Sequence, residues 1–435
     1  MWICKVKGMQ TFLDFITLKD PNVLYVVLGM LMVNSSSALI GTFAFLRKRA
    51  LIGDAIAHAL LPGLCLGFLV AGEKNILYLI GGAFLTGWLA TYAIDFIVNR
   101  SKVKQDAAIG IVLTSFFSVG IVLLTFIQKQ PSADHSGLDS FLFGQAAAIN
   151  QSELYAFAII LIIIILSIVL FYRSFVITAF NPDFAKSIGL PVKFIEFVLT
   201  ALTVLAIAAG IQALGVILMS ALIIFPAAAA RLWSHKLHLL LLLAVVFSVL
   251  SGLGGAYISY AQVAMPTGPW VVVFLACFMA FSIVFSPHKG LFRRYKRARE
   301  NRLKIQRENV LKAFYEWHEK NKGVQALNGS LRIVDFMGIR SFDTQDLMKG
   351  LNRLIHSDHV IQNGEEYYLS ALGIKESRRI AKLHRLWEQY LLKRTSIDEF
   401  HVHSGAEAIE HIITPEIALE LEKELGIEGV PEEDY

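Results

Sequence analysis

The chain has 435 residues, of which 55% are hydrophobic and 17% charged, and its mean hydropathy is +0.56. That balance excludes an ordinary water-soluble protein, in which about a quarter of residues carry charge. Charge is also unevenly placed: residues 1–285 hold 16 Lys+Arg and 11 Asp+Glu, whereas residues 286–435 hold 24 of each. The two parts are built for different solvents, and the basic pI of about 8.9 reflects loops of the first part rather than a nucleic-acid-binding surface. Cys4, Cys65 and Cys277 stand far apart, which leaves neither a disulfide framework nor a CxxC metal site.

A bilayer span takes about 20 mostly apolar residues. The first part offers nine such stretches, at 25–46, 54–71, 76–98, 106–127, 153–171, 194–212, 214–231, 237–258 and 269–285. The sixth and seventh are joined so closely, through Gln212–Gly215, that they form either a tight hairpin or one broken element, giving eight or nine transmembrane helices. No cleavable signal is expected, because Lys5 and Lys7 precede no short apolar region ending in small residues. Loops after odd-numbered spans carry eleven Lys or Arg (Arg47, Lys48, Arg49; Arg100, Lys102, Lys104; Arg173, Lys186, Lys193; Arg231, Lys236). Loops after even-numbered spans carry only Lys74 and Lys129. The asymmetry puts the first set, and everything beyond residue 286, in the cytoplasm. The N-terminus then lies outside, or the first 20 residues, with Lys5, Lys7 and Lys19, lie on the membrane surface.

Within Arg47–Gly63 (RKRALIGDAIAHALLPG), Asp54 and His58 stand four apart, on one face of a helix. Ionisable side chains in an apolar run are costly and usually face a bundle interior or an aqueous path. Carboxylate oxygen with imidazole nitrogen suits Mn²⁺, Fe²⁺ or Zn²⁺ better than Ca²⁺ or Mg²⁺. A second reading has Asp54 capping the helix and His58 bonded to a neighbouring carbonyl. Two ligands do not fill a coordination sphere, so a second copy of the subunit would have to complete it.

This segment resembles the stretch of metal-ion ABC transporter permeases, the membrane subunits of manganese, zinc and iron importers, that reads approximately Gly-Asp-Ala, Ser or Ala before His, then Leu-Pro-Gly. Asp106–Leu113 (DAAIGIVL), Gly215–Leu232 (GVILMSALIIFPAAAARL) and Gly254–Val272 (GGAYISYAQVAMPTGPWVV) resemble the same family, in order, over almost all of residues 25–285. The resemblance implies that Asp54 and His58 form the metal site of the translocation path. It also implies cytoplasmic ATPase subunits, an extracytoplasmic metal-binding protein and a second permease subunit, identical or related. Asn181–Leu190 (NPDFAKSIGL) reads as a short surface helix, with Pro182 at its start and Gly189 as its C-terminal cap. By resemblance it is the coupling helix, with Asn181, Pro182, Ala185 and Gly189 at the ATPase contact and the two small residues permitting close approach; an ordinary amphipathic connector is the alternative. Asp134, His135 and Asp139 lie in the longest external loop, read as solvated. There is no GxxxxGK[ST], so ATP hydrolysis belongs to a separate subunit, and no HExxH, which argues against an intramembrane metalloprotease.

After a basic juxtamembrane linker (286–302), which lies on anionic lipid or continues as a helix, the pattern changes. Ile305, Val310, Leu311, Phe314, Tyr315 and Trp317 recur at helical spacing, two compact helical signals follow, and Val360–Leu369 reads as a hairpin turning on Asn363 and Gly364. Helix, helix, helix, hairpin is a winged-helix order, assigned to 303–375. Asp343 and Thr344 cap the would-be recognition helix, which offers Gln345, Lys349, Asn352 and Arg353. Zero net charge over residues 286–435 and the membrane tether argue against nucleic acid as a partner of the intact chain.

The last part, 376–435, is a helical module in which His384 and Glu388, then Glu407 and His411, stand four apart, with His403 and Glu410 nearby. Lys382–Tyr390 (KLHRLWEQY) and Asp398–His411 (DEFHVHSGAEAIEH) resemble the dimerisation and metal-sensing region of the diphtheria toxin repressor and manganese repressor family. By resemblance Glu407, Glu410, His411 and His384 are sensing ligands, and His403 with Glu388 an ancillary site. In the first helix, where manganese-type repressors carry acidic ligands, Glu308–Tyr315 (ENVLKAFY) places Asn309 and Lys312. A protonated lysine is no ligand, so the complete two-metal site is not expected, although His384, Glu407, Glu410 and His411 remain able to hold one ion.

The expectation is an all-α polytopic membrane protein, with residues 1–285 as permease for a divalent metal substrate (Mn²⁺ first, then Zn²⁺ or Fe²⁺), no bound cofactor and no enzymatic activity. It sits in the cell (inner) membrane with a cytoplasmic regulator-like tail for which metal is a candidate effector. The competing reading is a membrane-held or proteolytically released metal-dependent repressor; a secondary transporter using Asp54 and His58 as a proton relay is a further rival.

Overall fold

The computed structural model describes residues 14–15, 17, 20–47, 50–72, 75–129, 144, 146, 149–262, 265–321, 327, 329–340, 342–394 and 415–426. The chain divides into two compact units, residues 1–293 and 294–435.

The described part of the first unit is helical throughout. In order the helices are α1 (Pro21–Leu46), α2 (Ala50–Ala71), α3 (Ile76–Arg100), α4 (Gln105–Gln128), α5 (Gln151–Phe180), α6 (Pro182–Ser187), α7 (Val192–Leu214), α8 (Val216–Trp233), α9 (Leu237–Ala261) and α10 (Thr267–Phe285). Polar residues at their starts supply caps: the Asp20 carboxylate accepts from the Asn22 amide at 2.9 Å, and Asn150 with Glu153 forms a reciprocal capping box on α5. Eight of the helices, all but α6 and α8, are long and apolar enough to cross a bilayer. At 18 residues, α8 is about 27 Å long, close to the thickness of the hydrocarbon core. A single residue, Gly215, with φ of +84°, separates it from α7, which accounts for the tight junction read from the sequence.

One boundary differs from expectation. The fifth span does not end at residue 171 but runs on to Phe180, with a local break at Phe171 (φ −104°, ψ 15°), so Arg173 lies on a helix rather than in a loop. Between Phe171 and Pro182 there is neither Gly nor Pro to stop it.

Within the bundle α2 packs against α3, α4, α7 and α8, and α1 against α5, α7, α8 and α9. Small residues let the helices approach, because an apolar solvent provides no hydrophobic drive between them. On α1 the fully buried Asn34 donates to the Met30 carbonyl at 2.7 Å and accepts from Ser248 of α9 at 3.2 Å, a polar link inside an apolar core. Large apolar side chains such as Leu77, Leu85, Trp88, Tyr92 and Phe96 point outward from α3, the reverse of a water-soluble surface.

The second unit takes up α11 (Leu291–Asn321), α12 (Ile333–Ile339) and α13 (Thr344–His356), a hairpin of β1 (Val360–Asn363) and β2 (Glu366–Leu369), then α14 (Ala371–Arg394) and α15 (Pro415–Leu425). This is the element order expected for a winged helix. The basic segment from residue 291 is helical and runs directly into the rest of α11, one of its two expected states. Asp343 caps α13 through the Asp346 amide at 3.2 Å. The hairpin pairs Val360 with Leu369 and Asn363 with Glu366. Its turn is therefore Gly364–Glu365, one residue later than expected, with Gly364 at φ +61°. Leu331 adds an isolated antiparallel bridge to Tyr367. Phe314 and Phe336, both fully buried, meet edge to face at 4.9 Å and centre the core.

The expected division at 375/376 falls inside α14. Its first half packs on this core through Ile374, Ile380 and Ala381. Its second half holds α15 through Leu383 against Leu421 and an ion pair of Lys382 with Glu422 at 2.7 Å.

Candidate metal site

Helix α2 carries Asp54 and His58 one turn apart, with His58 Nε2 3.7 Å from Asp54 Oδ1. The helix is otherwise apolar, and the residues between the two are buried against its neighbours. The pair is not sealed in: the Asp54 side chain is 34% exposed and that of His58 19%. The imidazole stands edge-on to Phe117 of α4 at 4.9 Å, which fixes its plane. Its Nδ1 is buried without a hydrogen-bond partner. The reading in which His58 bonds a neighbouring backbone carbonyl is therefore not what the structure holds. The nitrogen that faces Asp54 is Nε2, so that is where one ion could be shared by the two side chains.

Along α4, the helix that carries Phe117, Thr114, Ser115 and Ser118 are exposed, and their hydroxyls donate to carbonyls of their own helix at 2.9, 2.7 and 2.7 Å. Among the described residues no group of three or more His, Cys, Asp or Glu converges to hold a metal.

Two ionic or polar links in the bundle had no clear sequence signal. At the end of α1, Arg47 pairs with Glu196 of α7 at 2.8 Å, tying the turn that leads into α2 to the helix that follows α6. At the opposite end of the bundle the buried Glu153 accepts from Gln212 of α7 as well as closing its own capping box. Each carboxylate and its partner are far apart in sequence, so no local pattern marks them.

Helix α6 is built as its residues suggest: Asn181 Oδ1 accepts from the Phe184 amide at 3.0 Å, Pro182 opens the helix, and Gly189 closes it at φ +82°. Ala185, however, is fully buried, so it seats α6 on its own bundle and presents nothing to a partner. The exposed apolar side chains are Phe184 and Ile188, at 53% and 50%.

In the second unit His384 and Glu388 are brought together, with Nε2 to Oε1 at 2.9 Å. Lys312 of α11 is their third member, its Nζ 2.8 Å from His384 Nδ1. They line a cleft of about 430 Å³. Its charges are matched: Arg340 grips Glu316 with two hydrogen bonds at 2.8 and 3.2 Å, and Arg385 pairs with Glu319. Burial pushes the Tyr315 hydroxyl above its ordinary range, opposed by the Arg385 guanidinium over its ring. His403, Glu407, Glu410 and His411, like Asp134, His135 and Asp139, lie outside the described residues.

Comparison with known proteins follows the same division. The manganese transport system membrane protein MntC of Bacillus subtilis (strain 168) is 37% identical over 381 residues, which covers 87% of this chain and 86% of that protein. The zinc transport system membrane protein TroC of Treponema pallidum (strain Nichols) is 39% identical over 292 residues, 67% of this chain and 96% of that protein. Among solved structures, PsaBC from Streptococcus pneumoniae in complex with Fab matches with a TM-score of 0.58 at 30% identity, over 64% of this chain and 97% of that one. Residues 370–431 match the iron dependent repressor, metal binding and dimerisation domain. Residues 19–286 match the ABC 3 transport family, and with relatives this similar over most of their length the chain belongs to that family.

Proposed function

We propose that this chain is the membrane permease of an ATP-driven importer for a divalent transition metal, with Mn²⁺ as the first candidate substrate and Zn²⁺ and Fe²⁺ as the others. The observation that carries the reading is the Asp54–His58 pair in an apolar helix, half open, with His58 Nε2 facing Asp54 Oδ1 at 3.7 Å. An oxygen and a nitrogen donor together suit all three ions. Mn²⁺ is favoured because the manganese relative aligns over most of both chains.

Because the pair is a half-site, a second permease subunit, identical or related, faces it and completes the coordination. The exposed hydroxyls of Thr114, Ser115 and Ser118 suit a face that meets water or that partner rather than lipid. An extracytoplasmic metal-binding protein delivers the ion. Hydrolysis belongs to cytoplasmic ATPase subunits that dock on α6, and the Arg47–Glu196 pair ties α7, the helix that follows α6, to the end of α1.

A cytoplasmic side for α6 and the tail is supported by the Lys and Arg side chains near Arg47, Arg100, Lys186 and Arg231. The basic start of α11 then lies near anionic headgroups. Nucleic acid is left out as a partner of the intact chain, a reading supported on α13 by Arg353 being held by Gln306 of α11 at 2.7 Å, while Gln306 also donates to the Asp346 carbonyl at 2.6 Å. The tail is read as a regulator-like, protein-interacting module.

Uptake of labelled Mn²⁺, Zn²⁺ and Fe²⁺ tests the assignment in vesicles holding the chain with its ATPase. Accumulation of one metal that requires internal ATP is expected; accumulation without ATP or ATPase makes the chain a secondary transporter instead. Docking has its own test. Ile188→Glu on α6 is expected to strip the ATPase from the purified complex and lower uptake by about tenfold or more, as loss of an apolar anchor at an interface does. Co-purification unchanged by Ile188→Glu and Phe184→Ala together would remove α6 as the docking element.

A further inference from the structure

The match to a metal-binding repressor domain implies an ion beside His384, and among the described residues, which leave out His403, Glu407, Glu410 and His411, the side chains there do not fit one. A metal-bound histidine offers one ring nitrogen to the ion and donates the other N–H to a carboxylate or carbonyl, which fixes the ring and sharpens its basicity. Half of that arrangement is present: His384 Nε2 faces Glu388 Oε1 at 2.9 Å. The other nitrogen, where the ion belongs, faces Lys312 Nζ at 2.8 Å. An ammonium has only donors, so Nδ1 accepts, the ring proton sits on Nε2, and Glu388 receives it. The row is cation, imidazole, carboxylate, with an ammonium as the cation.

Both inner members are withdrawn from water, Lys312 at 2% exposure and His384 at 5%. The contact also joins residues 72 positions apart, on α11 and α14. It is thus a brace between two helices of the second unit, the kind of cross-link a bound ion would supply. A divalent ion at Nδ1 would have to displace Lys312 or share the nitrogen's single lone pair with a like charge beside it. Asn309, one turn earlier on α11, adds no negative charge to offset that.

We propose that Lys312 replaces the metal of this domain with a built-in ammonium, so that the tail is assembled permanently and takes no ion at His384. Whatever the tail does to the permease, it does without titrating cytoplasmic metal at this position. The inference concerns the second unit alone and stands whether or not the transport assignment does.

Equilibrium dialysis of the full chain in detergent against Mn²⁺, and separately Zn²⁺, tests it by counting ions per chain. The Asp54–His58 pair is left intact in every variant, so its contribution cancels. Wild type and His384→Gln are expected to bind the same amount. Lys312→Glu, which puts a carboxylate beside His384, is expected to bind one ion more than wild type, and Lys312→Glu with His384→Gln to lose it again. An excess of one ion in wild type over His384→Gln overturns the proposal. So does a Lys312→Glu chain that resists protease as wild type does and yet gains no metal, because the lysine is then not what excludes the ion.

Discussion

Replacing His58 by alanine is expected to abolish metal uptake while leaving the chain in the membrane at its normal level. The expectation rests on the geometry of the pair: Phe117 orients the imidazole, and its Nε2 faces Asp54 Oδ1 at 3.7 Å, so one ion can take both donors. Removing a group one step away from a bound metal already costs roughly 10- to 100-fold in affinity or activity. Loss of a direct ligand from a half-site, duplicated if the partner is an identical chain, should therefore bring uptake to the level of cells lacking the protein. Alanine also opens a gap beside Phe117, so His58→Gln is the necessary companion. Glutamine roughly preserves the volume but replaces the ring donor, and it too should fail. Uptake retained by His58→Gln but lost in His58→Ala would mean that the ring only fills space. Normal uptake in both would return His58 to a structural role and remove the site.

The parts of this molecule that the sequence reveals are those set by local pattern. Hydropathy places the spans, and Gly215 marks the junction of α7 and α8, because both depend on residues within one window. The Asp54–His58 pair is legible for the same reason, as one turn of helix brings i and i+4 together. The end of α5 is not legible in hydropathy, which falls after Phe171 while helical continuity does not. On α6, six residues are too few for periodicity to say which side faces inward. Ala185 looked like the contact residue, yet it is buried and Phe184 and Ile188 are outside. Contacts such as Arg47 with Glu196, Glu153 with Gln212, and Lys312 with His384 exist only once the helices are packed. For the last of these the sequence placed Lys312 at a ligand position but could not show that its ammonium reaches the imidazole.

Two adjacent glycines on α3 should respond to the same substitution in opposite directions, and their difference measures how tightly the site-bearing helix is held. Gly82 lies against Gly63 of α2, and a methyl group on either would overlap the other's carbonyl oxygen. The obstacle is backbone, which cannot rotate aside, so Gly82→Ala must push α2 and α3 apart. Overpacking usually costs about 1–3 kcal/mol, and with no side chain to yield the cost should sit at the upper end. Gly81, its neighbour, has nothing within 4 Å of where the methyl would go. There alanine only removes the entropy penalty of glycine in a helix, a gain of about 0.5–1 kcal/mol. The thermal midpoint of the detergent-solubilised chain should fall for Gly82→Ala and hold or rise for Gly81→Ala. Because Gly63 follows His58 by little more than one turn, the Gly82 variant should also lose uptake out of proportion to its loss of folded protein. Equal midpoints for the two variants would show that α2 and α3 are not in backbone contact, and the rigid placement of Asp54 and His58 would need another source.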